Sequence, residues 1–325
     1  MHVLITGGAG FIGSNLAEFH LGRGDKVHVV DDLSTGSLQN IASFLPHSAF
    51  RFDQADILTW AGLAQAVEWA DRIYHMAAVV GVRRVLADPV KVMSTNMAGT
   101  ERVLRAVHGG GWNPQVLVAS SSEVYAFNPK AVFAETDDVV LRSGGRLRWS
   151  YAVTKLADEF LAFSYARHYG LDIKIVRLFN TTGPNQTGAY GMVVPNFIRQ
   201  AVRGEAVTVF GDGRQTRSFC DVRDTVAMLD ALCERPEASG EIVNVGNDQE
   251  IPIGELARLI IARAGSTSEI LTVPYREAYG EEFEDVTHRR PDLTKLRALT
   301  GFTPQWTLES TIDDLIRRER MHVPD

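Results

Sequence analysis

The chain has 325 residues, 45% of them apolar and 22% charged, with 33 basic against 40 acidic side chains and a formal net charge of −7. That composition excludes a dominantly disordered chain and has room for two domains of roughly 100–200 residues each. The acidic balance argues against a nucleic-acid binder, whose affinity comes from neutralising phosphates, and no run of about 18 apolar residues predicts a membrane span.

Residues 1–7 lack the basic region and long apolar run of a signal peptide. The two cysteines, Cys220 and Cys233, are too few for a disulfide framework or a four-thiolate zinc site. A cytoplasmic protein with reduced thiols is therefore expected. The basic residues comprise 27 arginines and only six lysines, a bias that genomic base composition can produce without any function.

Short apolar runs at 3–5, 27–30, 51–52, 72–75, 116–119 and 173–178 predict buried strands. The strongest are continuous Val/Ile/Leu runs, as parallel strands covered on both faces require. Amphipathic stretches at 13–23, 60–69, 90–108 and 150–168 separate them and predict helices. Alternation at this spacing implies right-handed crossovers and an α/β fold, a Rossmann-type doubly wound parallel sheet over residues 1–180. After Asn180 a turn-rich cluster, Thr181 to Gly188, breaks the pattern. Helices at 194–203, 222–233 and 253–264 and strands at 206–210 and 242–245 then predict a smaller α/β substrate domain over 181–325, with some segments returning to the sheet.

The first strand runs into Gly7-Gly8-Ala9-Gly10-Phe11-Ile12-Gly13 and then a helix. Glycines at that spacing permit a tight turn, close approach of backbone to a pyrophosphate, and close helix–strand packing, while the helix N-terminus offers free N–H groups. The second strand ends at Asp31-Asp32, with Asp31 18 residues beyond Gly13. A carboxylate there accepts hydrogen bonds from an adenosine ribose and repels a ribose phosphate, which favours NAD over NADP. The alternative is a Gly-rich turn with a strand-end cap. Asp56 and Ile57 after the third strand are expected to face the adenine, and Ala77 and Ala78 after the fourth to let the nicotinamide half pass. His75 reads as a buried, hydrogen-bonded histidine. No metal-ligand spacing occurs, so no metal is expected.

Tyr151 and Lys155 are four apart at the start of a predicted helix and share one face. A free tyrosine, with a pKa of about 10, is a poor base at neutral pH. A nearby ammonium and an oxidised nicotinamide favour the phenolate, which then accepts a hydroxyl proton as hydride leaves the same carbon. Upstream, a buried strand ends in Ser120-Ser121-Ser122-Glu123-Val124-Tyr125, where such sheets bind ligands. A polar strand-end turn is the alternative.

Together these residues resemble the extended short-chain dehydrogenase/reductase family of nucleotide-sugar enzymes over essentially the whole chain. The resemblance rests on residues 6–13, Asp31-Asp32-Leu33-Ser34-Thr35-Gly36, Asn96-Met97-Ala98-Gly99-Thr100, the Tyr151/Lys155 pair, Arg177-Leu178-Phe179-Asn180, and Gly211-Asp212-Gly213 followed by Arg217. It implies NAD contacts at Ser34, Thr35, Gly36 and Asn96. It implies that Ser121 hydrogen-bonds the hydroxyl being oxidised, that Tyr151 is the base, and that Lys155 holds the cofactor ribose. Arg217 and Arg289 are expected at the substrate diphosphate, with Ser122, Asn180, Val194 and Phe210 as further substrate contacts. Ala126 departs from the family's usual glycine, which implies an altered loop after Tyr125. The resemblance also implies a homodimer built on the 90–108 and 150–168 helices. Apolar positions such as Val92, Val103, Leu156 and Phe160 fit that interface or an internal core equally.

Within the family the expected first step is oxidation of carbon 4 of a UDP-sugar. Ser122 stands where 4,6-dehydratases carry an acid, and Glu123 stands where simple 4-epimerases carry an uncharged residue. Ser121-Ser122-Glu123 is similar to the Thr-Ser-Glu of UDP-glucuronate decarboxylases. Residues 280–292, containing Arg289, resemble a segment of the lipid-A-modifying decarboxylases that carries an active-site arginine. Residues 146–151 resemble the basic and aromatic approach to their tyrosine. A surface pairing of Arg289 with Asp285 or Glu284 is the alternative. Residues 77–83 instead align with 4-epimerases, including those acting on UDP-glucuronate, and there Arg83 is expected to bind a carboxylate or phosphate. UDP-glucuronate decarboxylation therefore leads, 4-epimerisation is the main alternative, and a dehydratase or a non-catalytic NAD-binding protein trails. The expected partner is a UDP-sugar, with no nucleic acid and no membrane.

Overall fold

The structure, a computed structural model, describes residues 1–141, 147–189, 191–279 and 286–322, without the side chains of Val82, Arg83 and His322. Its first half is β1 (His2–Thr6), α1 (Phe11–Gly22), β2 (Lys26–Asp31), β3 (Phe50–Gln54), α2 (Leu63–Trp69), β4 (Arg72–His75) and α3 (Val82–Ala87). Then come α4 (Pro89–Gly109), β5 (Gln115–Ser121), α5 (Ser150–Tyr169) and β6 (Ile173–Leu178). Beyond these lie β7 (Thr181–Thr182), α6 (Val193–Val202), β8 (Val207–Phe210), β9 (Thr216–Ser218), β10 (Cys220–Asp221) and α7 (Val222–Cys233). The last elements are β11 (Ile242–Val245), β12 (Glu250–Pro252), α8 (Ile253–Arg263), β13 (Ile270–Val273), α9 (Tyr275–Tyr279), α10 (Thr294–Thr300) and α11 (Leu308–His322).

Seven parallel strands form one sheet in the order β11-β6-β5-β4-β1-β2-β3. The winding reverses between β1 and β4, which opens a crevice at the carboxyl ends of the strands. Alternate side chains of each strand enter opposite layers. Val3, Ile5, Val27 and Val29 pack with Leu16 of α1 and Val226 and Leu229 of α7. Leu4, Val30, Val116 and Val118 pack with Val67 of α2, Leu104 of α4 and Ala162 of α5. Each such side chain, fully removed from water, stabilises the fold by about 1.5–3 kcal/mol. Continuous apolar runs are required because both faces are covered.

Although α7 and β11 lie beyond residue 180, their side chains belong to the core of the sheet. A separate core gathers Phe197 of α6, Val207 and Val209 of β8, Leu256 and Ile260 of α8, and Ile312 of α11. It stands beside the carboxyl edge of the sheet and supplies the far wall of the crevice.

Several helices have clear stops and starts. Pro89 occupies the first turn of α4, and Asp88 Oδ1 accepts from Lys91 N at 2.9 Å, a cap worth about 1 kcal/mol. Gly170 ends α5 in the left-handed conformation. Helix α3 was not predicted, because six residues carry too little periodicity to register. Val92 and Val103 are internal core, whereas Phe160 is 68% exposed. The loop after Tyr125 does not relax where alanine replaces the expected glycine: Ala126 keeps a glycine-like backbone at φ +43° and ψ −110°.

Candidate active site

The Gly-rich turn delivers the chain from β1 to α1 inside the crevice. Gly7 has φ +71°, and a Cβ there would lie 2.7 Å from Ala77 N. A Cβ on Gly13 would lie 2.3 Å from Gly7 O. Only hydrogen fits at either position, so the backbone forms a bare cradle. The first turn of α1 has no side-chain cap, which leaves its N–H groups for an anion. Asp31 closes the cradle: its Oδ2 accepts from Ala9 N at 3.0 Å and its Oδ1 from Leu33 N at 2.8 Å. Burial pushes the Asp31 carboxyl above its usual pKa, against the pull of these amides. Gly7, Gly10, Phe11, Ile12, Gly13, Asp31, Asp32, Ser34, Thr35, Gly36, Asp56, Ile57, Ala77 and Ala78 all line this part of the crevice. A bare N-terminal turn with a carboxylate at the neighbouring strand end fits a dinucleotide.

Asn96 is buried behind the residues that line the crevice. Its Oδ1 accepts from Val79 N at 2.7 Å, and its Nδ2 donates to Val79 O and Thr154 Oγ1 at 3.2 and 3.3 Å. The amide fixes the wall after Ala78 and ties it to α5. His75 is also saturated, with Nδ1 2.8 Å from Thr6 Oγ1 and Nε2 3.1 Å from Thr100 Oγ1. Burial, with the Lys155 charge, pushes its pKa down to about 3, so the ring is neutral.

At the end of β5, Ser121 turns the chain into a short 3-10 turn and its Oγ accepts from Glu123 N at 3.2 Å. The Ser121 side chain also hydrogen-bonds Tyr151. One turn along α5, Lys155 Nζ donates to Ala119 O at 2.9 Å and to Asp158 Oδ2 at 3.1 Å. Burial pushes the Tyr151 phenol up; Lys155 pulls it back, and Glu123 and Asp158 oppose that pull. Burial works to discharge Lys155, but Asp158 and Tyr151 outweigh it and raise the ammonium's pKa.

Glu123 sits between two arginines. Arg148 Nη1 and Nη2 lie 2.7 and 3.2 Å from its two carboxylate oxygens, and Arg289 Nη1 lies 2.7 Å from Oε1. Burial favours the neutral acid, yet the charges of Arg289 and Arg148 prevail and hold the carboxyl far below its usual range. Arg148 was not among the predicted site residues. The basic and aromatic stretch before Tyr151 was its only signal, and a 3-10 turn carries no periodicity to show where a side chain points. Arg289 faces this carboxylate in the crevice, while Asp285 and Glu284 lie outside the described residues, with Arg146 and the rest of 280–285. Its strap is anchored where Ser218 Oγ donates to Arg289 O at 3.3 Å and Phe133 N to Arg290 O at 2.9 Å.

Ser122, Asn180, Val194, Phe210 and Arg217 line the far part of the same crevice, whose volume is about 1350 Å³. Asn180 Nδ2 donates to Ser218 O at 3.3 Å, and Arg217 Nη1 to Thr216 O at 2.7 Å. The Arg83 side chain lies outside the described residues. Among the described residues, no three His, Cys, Asp or Glu side chains group as a metal site, and no helix is long and apolar enough to cross a membrane.

Residues 3–246 match the NAD dependent epimerase/dehydratase family. The chain is 37% identical over 319 residues to the UDP-N-acetyl-alpha-D-glucosaminuronate decarboxylase of Bacillus cytotoxicus, covering 97% of this chain and 96% of the relative. It is 35% identical to UDP-glucuronic acid decarboxylase 1 of Xenopus tropicalis, covering 98% of this chain and 73% of the relative. Among solved structures, the UDP-glucuronic acid 4-epimerase of Bacillus cereus, in complex with UDP-glucuronic acid and NAD, superimposes with a TM-score of 0.88 at 26% identity, covering 99% of this chain and 100% of that one. The cradle, the Tyr151/Lys155 pair and these likenesses agree: the chain belongs to the NAD dependent epimerase/dehydratase family and is an enzyme with NAD as its cofactor.

Proposed function

We propose that the enzyme decarboxylates a UDP-hexuronate through transient oxidation of sugar carbon 4. The observation that carries this reading is the Arg148–Glu123–Arg289 clasp, supported by relatives named as decarboxylases. Two guanidinium groups on one carboxylate leave a net positive charge in the crevice, suited to one more carboxylate. A neutral hexose has no use for it.

The cradle from Gly7 to Gly13 holds the NAD pyrophosphate and Asp31 the adenosine ribose; when bound, NAD supplies a reversible hydride acceptor and a positive charge beside the phenol. Ser121 orients the hydroxyl on carbon 4 and Tyr151 accepts its proton, with Lys155 favouring the phenolate. With a ketone at carbon 4, the carboxylate on carbon 5 is that of a β-keto acid. Its C–C bond breaks, carbon dioxide leaves, and the electron pair passes to an enolate whose oxygen faces the Ser121 and Tyr151 hydroxyls. A donor of this kind is worth about 3–4 kcal/mol in the transition state. As the substrate carboxylate draws an arginine from Glu123, burial pushes that side chain toward its acid form, ready to hold a proton for carbon 5. Ser122, Asn180, Val194, Phe210 and Arg217 are the proposed remaining contacts to the nucleotide sugar.

The relative at 37% identity is named for a sugar carrying an N-acetyl group, and those at 35% for UDP-glucuronate. Purified enzyme with NAD and either UDP-hexuronate is expected to give a product lighter by one carbon dioxide where the hydride is returned to carbon 4, or by carbon dioxide and two hydrogens, with one NADH formed, where the 4-keto-pentose is released. An unchanged mass with a new stereoisomer would assign 4-epimerisation, the activity named for the Bacillus cereus structure. No turnover of either hexuronate would overturn the proposal.

We also propose a homodimer through α4 and α5, supported by Val90, Met93, Met97, Val153 and Phe160, apolar side chains exposed on these two helices. A cytoplasmic location is proposed on the two buried, free cysteines.

A further inference from the structure

We propose that Asp158 is a positioning residue for the base: its carboxylate holds the Lys155 ammonium in a buried ion pair and so sets how much of that charge reaches Tyr151. The assignment rests on the reading of Tyr151 as the base. Asp158 lies one turn beyond Lys155 on α5, and its side chain is 1% exposed. Its Oδ2 accepts from Lys155 Nζ at 3.1 Å, and the Thr100 side chain also hydrogen-bonds this carboxylate. A carboxylate this deeply buried stays charged only beside a cation that pairs with it. Its second charged neighbour on α5, Glu159, is spent elsewhere, bonding Arg177 through Nε at 2.9 Å and Nη2 at 2.8 Å. Asp158 therefore adds nothing to that bidentate pair; its ion-pair partner is Lys155.

The arrangement has an electrostatic consequence. An ammonium has three donors. Two go to Ala119 O and Asp158 Oδ2, and the third remains for the crevice that Lys155 lines. The ion pair keeps the lysine charged and directs it, yet the same negative charge diminishes its pull on the phenol. Two carboxylates oppose the pull of Lys155 on the phenol, Glu123 and Asp158, and of the two Asp158 is the one bonded to the ammonium itself. Glu123, from the turn after β5, is paired with Arg148 and Arg289 rather than with Lys155; His75 on β4 is neutral; Thr100 on α4 and Ser121 on β5 present only hydroxyls.

Asp158→Asn keeps the shape and removes the charge. The acid limb of the kcat–pH profile, set by the base, is expected to move to lower pH by about one unit, roughly a tenfold relative gain on that limb. The alkaline limb moves down as well, because Lys155 loses the carboxylate that raises its pKa. Asp158→Glu, which restores the charge, is expected to keep both limbs near their wild-type positions. Where Asp158→Asn fails to fold, Asp158→Ser serves, and in either case the phenolate absorbance lost on adding Tyr151→Phe titrates the phenol directly. A folded, charge-removing variant with both limbs and the phenolate titration unmoved would overturn the proposal. Full activity in Tyr151→Phe would instead overturn the choice of base, a result distinct from the first.

Discussion

Glu123, Arg148 and Arg289 are three charges in contact within the protein, with side chains only 6–12% exposed. Pairs of this kind balance desolvation against attraction, and removing one partner exposes the imbalance. Arg148→Met is expected to destabilise the fold by about 3 kcal/mol at neutral pH. The pH dependence has a definite sign. Glu123 has its folded pKa held below the unfolded value of about 4.3, so its stabilisation is full above the unfolded value and is lost as pH falls toward the folded one. Urea unfolding should therefore show the gap between wild type and Arg148→Met narrowing in acid; a gap that is constant with pH would contradict the electrostatic assignment. For catalysis, Arg289→Met is expected to lower kcat by about a hundredfold to a thousandfold, measured by steady-state turnover of a UDP-hexuronate. A change confined to KM would assign Arg289 to binding alone.

At the scale of elements, the 3-10 turn after β5 joins the catalytic strand to the buried Tyr125, whose hydroxyl donates to Asn244 Oδ1 at 2.7 Å. Ala126 closes this turn at φ +43°, a conformation that costs a residue with a Cβ about 1–3 kcal/mol. Ala126→Gly removes that strain and adds back chain entropy of about 0.5–1 kcal/mol, so a net gain of about 1 kcal/mol in the urea-unfolding free energy is expected. A loss would show the strain to be absent. The same elements show what was legible beforehand. Buried parallel strands register because both faces demand apolar side chains, as at residues 116–119, and the glycine turn registers because its spacing follows from backbone geometry. The position of β11 beside β6 was not legible, since parallel pairing joins residues far apart in sequence. The hydrogen bonds that Asn96 makes to Val79 and Thr154 were not legible either, because a motif names a residue without saying where its amide is spent. Arg148 was missed for the converse reason: three-dimensional proximity to Glu123 leaves no trace in spacing.

Across the whole molecule, the net charge of −7 conceals a crevice lined by Arg148, Arg217 and Arg289. Attraction of a polyanionic sugar nucleotide must come from that local placement rather than from the average field. The exposed face of α4 and α5 belongs to the same scale. Phe160→Glu, at 68% exposure, is expected to leave the monomer folded and to halve the mass in solution by light scattering, whereas an unchanged dimer would place the interface elsewhere. The central claim is that the bond between carbon 5 and the carboxyl carbon breaks. A UDP-hexuronate isotopically labelled at its carboxyl carbon tests this most directly, with UDP-glucuronate and its 2-acetamido counterpart each supplied with NAD and the purified enzyme. Labelled carbon dioxide released in step with substrate consumed is the predicted result; label retained in a converted sugar nucleotide would contradict it.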